Sequence, residues 1–112
     1  MDITGESREL AHVVMISGSL DAVTADQATS FLSTQIREGH THLVVDLARL
    51  EYVSSAGLRV FLTALKEARQ QGGDLRLAAP HRNVQKVLEM SGFTSILKLY
   101  ADLDAALASY TP

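Results

Sequence analysis

The sequence predicts an α/β fold, a mixed five-stranded sheet that opens with an antiparallel hairpin, continues in parallel strands and carries four helices. Three observations lead there. Short β-rich or apolar runs alternate with longer segments whose apolar residues recur at helical spacing, the pattern of strands joined by right-handed crossovers. The first two strand-like runs are joined by a tight turn, too short for a crossover, so they pair antiparallel. Glycine or proline punctuates most of the boundaries between segments.

Taken in order, residues from Ile3 to about Leu10 form a polar first strand at the sheet edge, and His12 to Ile16 a second. The second is clearer, because Val13-Val-Met-Ile16 is bounded by Ser17-Gly18. Thr24 with Gln27 three residues later makes a capping box, and Ala28, Phe31, Leu32 and Ile36 share one face of the helix it opens, which Gly39 ends. Leu43 to Leu47 is a strand whose continuous apolar run suits burial on both faces. A loop leads to a long helix from Ser54, with Leu58, Phe61, Leu62, Leu65 and Ala68 inward and Arg59, Lys66, Glu67 and Gln70 outward. Gly72-Gly73 stops it, and Asp74 to Ala78 alternates as a strand. Pro80 precedes a short helix with Val84, Val87 and Leu88 toward the core, ended by Ser91-Gly92. Ile96 to Tyr100 is the last strand, and Asp102 caps a C-terminal helix.

A length of 112 residues fits one domain, 1–112, with a real core and little surplus. The 46% hydrophobic content argues against disorder. The chain has no cysteine, which excludes a disulfide framework and a thiolate zinc site and suits a reducing compartment. A net charge of -3 without a Lys/Arg cluster argues against nucleic acid as a partner. No apolar run is long enough for a membrane span, and Met1-Asp-Ile-Thr4 does not begin a signal peptide. The expectation is a soluble, cytoplasmic, monomeric protein.

In a sheet of this kind, loops at the carboxyl ends of the parallel strands meet, here Leu20–Val23, Leu50–Ser55 and Ala79–Arg82. Among them Ser54-Ser-Ala-Gly57 alone combines hydroxyls, small residues and a helix N-terminus. Ser54 suits the N-cap, its hydroxyl accepting from a first-turn N–H. Ser55 then becomes the first helical residue with its hydroxyl projecting, as a kinase requires. Gly57 permits close approach of a partner backbone. Tyr52 and Val53 read either as exposed apolar contacts or as the hydrophobic residues that staple the helix start. Arg59 lies one turn beyond Ser55, within reach of a phosphate or simply solvated. Asp21 reads as evenly as a loop cap or as a site residue.

Gly18-Ser-Leu-Asp21, Val45-Asp-Leu47, Val53-Ser-Ser-Ala-Gly-Leu58 and Leu88-Glu-Met-Ser-Gly-Phe93 follow one another in the order and spacing of STAS domains. Over nearly the whole chain the sequence resembles the bacterial anti-sigma factor antagonists of that family. The resemblance implies a STAS-like mixed sheet with helices mainly on one face. It implies a partner switch as well. The unphosphorylated protein binds an anti-sigma factor that is also a serine kinase of the GHKL ATPase type, phosphorylation of a serine at the start of the central helix dissolves the complex, and a metal-dependent serine phosphatase resets it. The phosphoacceptor by this resemblance is Ser55, with Ser54 where the family commonly has aspartate. Asp21 matches the acidic residue of a loop near the phosphosite. Asp21, Tyr52, Val53, Ser54, Ser55, Ala56 and Gly57 make up the expected partner surface.

Other classes fit less well. Ser55-Ala-Gly57 is half of a nucleophile elbow, but Val53 replaces the first glycine and no His–Asp pair follows. A phosphate-binding Gly-rich loop is absent, so no cofactor is expected and ATP and Mg²⁺ belong to the partner. His12, His40, His42 and His81 read as exposed loop histidines rather than metal ligands. The alternative within the family is a constitutive structural STAS module of a transport or stress-sensing complex.

Overall fold

Val13 and Val14 are both fully buried, as are Leu43, Val44 and Val45. The strands that carry them, β2 (His12–Leu20) and β3 (His42–Asp46), are therefore covered on both faces and lie at the centre of the sheet. The computed structural model describes residues 1–111. The remaining elements are β1 (Asp2–Ser7), α1 (Ala25–Arg37), β4 (Leu50–Val53), α2 (Ser55–Gln70), β5 (Asp74–Ala78), α3 (Arg82–Met90), β6 (Lys98–Tyr100) and α4 (Leu103–Ala108). The strand order is β1-β2-β3-β5-β6, with β1 antiparallel to β2 and the others parallel, as the alternating segments predict.

The sheet has a sixth strand in place of the expected loop. The second strand does not stop at Ile16. Gly18, at φ +89, bends the chain where the pairing register shifts, and β2 runs on to Leu20. That extension gives β4 an edge to pair with in parallel, Ser19 opposite Tyr52 and Leu20 opposite Val53. Two other boundaries move. The first strand ends at Ser7, because Arg8 N–H turns back to the Ala11 carbonyl at 2.9 Å. The last begins at Lys98, because the Ile96 and Leu97 N–H groups close a 3₁₀ turn on the Phe93 carbonyl.

Side-chain alternation assigns the layers. Leu43 and Val45 join Val14, Ile16, Leu75 and Leu77 under α1 and α2, which contribute Ala28, Leu32, Ile36, Leu58, Phe61, Leu65 and Ala68. Val84 and Leu88 of α3 extend the same core. Val44 points the other way and meets Ala11, Ala78 and Ala106 of α4. Three helices thus lie on one face and one on the other. The Ser33 hydroxyl donates to the Glu67 carboxylate at 2.8 Å, tying α1 to α2.

At the amino ends of the parallel strands Asp74 accepts from Arg76 at 3.0 Å and Arg69 at 3.2 Å. Arg76 also donates to the Ser109 carbonyl at 2.7 Å and lies over the Tyr110 ring, whose hydroxyl donates to the Leu43 carbonyl at 2.8 Å. The far end of α4 is thereby held to β3 and β5. Burial alone would raise the Asp74 carboxyl. The bonds from Arg76, the Leu75 N–H and Arg69 outweigh burial and hold it below its ordinary value of 3.8. A carboxyl lowered by folding stabilises the fold above its ordinary value, and that stabilisation disappears as pH falls through the folded one. Asp74→Asn should therefore cost roughly 1–3 kcal/mol at pH 7, the range for a paired buried polar group losing its partner. Urea unfolding at pH 7 and at pH 3 checks this, the gap between variant and parent narrowing at the lower pH.

Candidate functional site

The end of β2 sets the start of α2. Ser54 N–H donates to the Leu20 carbonyl at 2.9 Å, and Ser54 is extended, at φ -98 and ψ 177. Its hydroxyl accepts from Gly57 N–H at 3.4 Å and its carbonyl from Leu58 N–H at 2.9 Å, so Ser54 is the N-cap expected of it. Ser55 is the first residue of the helix and is exposed. Among the described residues no side chain or backbone group bonds its hydroxyl. Ala56 is half-buried beside it. The first turn carries no acidic side chain of its own to offset the positive end of the helix dipole, and Arg59 is exposed one turn on.

Gly57 has a different job from the one expected. It is buried, and a Cβ on it would come within 2.7 Å of the Leu20 carbonyl oxygen and of Val53 Cγ2. The backbone that approaches it is that of β2 in the same chain, not that of a partner. Val53, only 3% exposed, is likewise withdrawn from any partner surface and packs into the core below the helix start. Tyr52 alternates outward and is 52% exposed.

Asp21 is a loop cap. Its Oδ1 accepts from the N–H of Val23 at 3.0 Å and of Thr24 at 3.2 Å. The predicted capping box does not form, because the Thr24 hydroxyl is turned back to donate to the Ser19 carbonyl at 3.0 Å. Asp21 therefore shapes the loop that leads out of Leu20. At the top of that loop Val23 is 90% exposed, an apolar residue that no pattern singled out. The available signal was a valine in the otherwise polar or small run from Asp21 to Gln27.

Of the three loops expected to meet, the first two do so through the Leu20–Ser54 bond. The third sits beyond β4, where Asn83 Nδ2 donates to the Glu51 carbonyl at 2.6 Å and His81 Nε2 to the Ala48 carbonyl. His81 is an exposed loop residue, as expected, and His42 is exposed at the start of β3, but His12 and His40 are not free. His12 is 7% exposed, His40 stacks on it and His42 lies edge-on to Tyr110. Among the described residues no three His, Asp or Glu side chains converge as metal ligands.

Residues 3–106 match the sequence model of the STAS domain. The chain is 36% identical over 110 residues to a Bordetella bronchiseptica protein provisionally named anti-sigma factor antagonist BtrV, covering 98% of this chain and 95% of that one. It is 33% identical to an anti-sigma F factor antagonist of Paenibacillus polymyxa, over 79% of this chain and 76% of the other. The fold is similar to that of an anti-sigma factor antagonist from Mycobacterium paratuberculosis, with a TM-score of 0.89, 24% identity, and coverage of 97% and 92%.

Restoring a side chain at Gly57 should push α2 away from Leu20 and Val53. Gly57→Ala is expected to lower stability by about 1–3 kcal/mol, the usual range for overpacking. Thermal unfolding of variant and parent checks the loss, and exchange of the Ser54 amide with solvent, which should quicken, locates it.

Proposed function

This chain belongs to the STAS domain family, and from that premise we propose that it is an anti-sigma factor antagonist whose binding is switched by phosphorylation of Ser55. It is not an enzyme, since the anti-sigma factor antagonists of this family act by binding. The partner is an anti-sigma factor that is also a serine kinase of the GHKL type, docking on Ser55, Ala56 and Tyr52 with Asp21 and Ser54 shaping the surface. It supplies the ATP and Mg²⁺. A metal-dependent serine phosphatase restores the hydroxyl, and the cycle runs on a cytoplasmic monomer.

One observation supports this reading above the rest. Two adjacent serines stand in different states, Ser54 engaged as a cap and Ser55 exposed with its hydroxyl free. Only the second can meet a kinase without breaking the helix start. A phosphate there adds about -1.5 to -2 charges. The positive helix end and the first-turn N–H groups accept that charge, so the fold survives it. The interface does not, because a surface fitted to a neutral hydroxyl must now take bulk and an unpaired charge. Phosphorylation therefore acts on the partner and not on the fold.

Incubation with ATP and a cognate anti-sigma factor kinase of the GHKL type, followed by mapping of phosphate by mass spectrometry, tests the site. Label is expected on Ser55. Ser55→Ala should abolish it and keep kinase binding, and Ser55→Asp should weaken binding at least about tenfold, or roughly 1.4 kcal/mol, with the circular dichroism unchanged. Label on Ser54 would move the site. Absence of label with binding intact would make the chain a constitutive module.

A further inference from the structure

At the opposite end of β2 from Ser54 one imidazole joins three elements. His12 is all but buried, and its Nε2–H donates to Gln35 Oε1 of α1 at 2.6 Å. That bond leaves Nδ1 of the neutral ring as the acceptor for the Ser7 hydroxyl of β1 at 3.0 Å. The His40 ring, in the turn after α1, stacks on it with centroids 3.9 Å apart and planes 12° from parallel. Gly5 closes the slot. A Cβ there would lie 2.7 Å from His12 Nε2 and 3.1 Å from Gln35 Oε1, so only glycine leaves room for the ring. We propose that His12 is an acid-operated latch, which clips the edge strand β1 and the end of α1 to the sheet while neutral and releases that corner when protonated.

The surroundings give the latch its direction. A proton on Nδ1 forces the Ser7 hydroxyl to stop donating and turn round, and it puts a charge on a ring withdrawn from water. The face of that ring is covered by a second imidazole, so charging both sets like charges against each other. Glu38, at the end of α1, is the carboxylate that favours the charge. Arg8 and Glu9 of the β1–β2 turn line the same cleft with opposite signs, and His42 points to Tyr110 on the other face of the sheet. Burial leads the balance and His40 adds to it. Against them the Gln35 bond and Glu38 do not prevail, so His12 is held below its ordinary 6.5. A base lowered by folding favours the closed corner fully above its ordinary value, and the advantage is lost as pH falls from there toward the folded one.

Amide hydrogen exchange at Ser7, His12 and Gln35, corrected for intrinsic rates, reads the opening, with α2 amides as the internal reference. Opening of the corner should increase from pH 7.5 to 5.5, with a ceiling of about tenfold, since a free imidazole is about ten parts protonated to one at the lower pH. In His12→Phe this dependence should vanish. In His40→Ala, which keeps the latch and removes the facing ring, the His12 midpoint read from its ¹³C shifts should rise. A His12 midpoint at or above 6.5 in the parent, or the same pH dependence in His12→Phe, would overturn the proposal. If His12→Phe does not fold, the His40→Ala midpoint decides, and an unchanged value overturns it.

Discussion

The bond from Ser54 N–H to the Leu20 carbonyl is the constraint on which the site depends. It joins the last residue of a central strand to the residue that opens the central helix. Once that distance is set, the rest follows by exclusion. The helix lies so close to Leu20 that position 57 has no room for a side chain, and Val53 is forced inward beneath it. Ser54 is held extended with its hydroxyl over the first turn, and the next residue is left exposed. The exposure of Ser55 is thus a consequence of how tightly its neighbours are packed.

Under the proposed switch, this arrangement separates two demands that a single serine could not meet. A cap hydroxyl is valuable because it is engaged, and a phosphoacceptor because it is not. Placing them side by side lets the helix keep its N-terminal bond whatever happens to the second hydroxyl. A phosphate on Ser55, as proposed, would meet free N–H groups and the positive end of the helix dipole. Tyr52 of β4 and Val23 of the loop after β2 are both exposed.

The two ends of β2 carry opposite kinds of polar chemistry. At Leu20 the bonds are between backbone groups and insensitive to acid. At His12 the corner is closed by side chains, one of them titratable, over a glycine that gives up its side chain to make room. On the far face, Asp74, Arg76 and Tyr110 fasten α4 through charged and aromatic groups. The core between is apolar, from Val14 and Ile16 to Leu65 and Leu77. Polar fastening at the margins and apolar packing in the centre leave the margins as the places where pH or modification can act.

The sequence by itself determined what periodicity and local chemistry control. It specified the α/β class, the antiparallel opening and parallel remainder, the inward faces of α1 and α2, β5 to the residue, and the caps at Ser54 and Asp102, because each depends on residues within a turn or two of one another. It did not disclose β4, since Leu50 to Val53 is a strand only because Gly18 bends β2 far enough to offer it an edge. Nor could it say that Gly57 yields to Leu20, that Asp21 bonds its own loop, that Thr24 faces Ser19 instead of making a capping box, or that His12 is buried against Gln35. Those are contacts between residues far apart in the chain or choices among competing bonds. Only the tertiary structure decided them, because a hydroxyl, a carboxylate or an imidazole takes whichever partner the packing of the whole chain brings within about 3 Å.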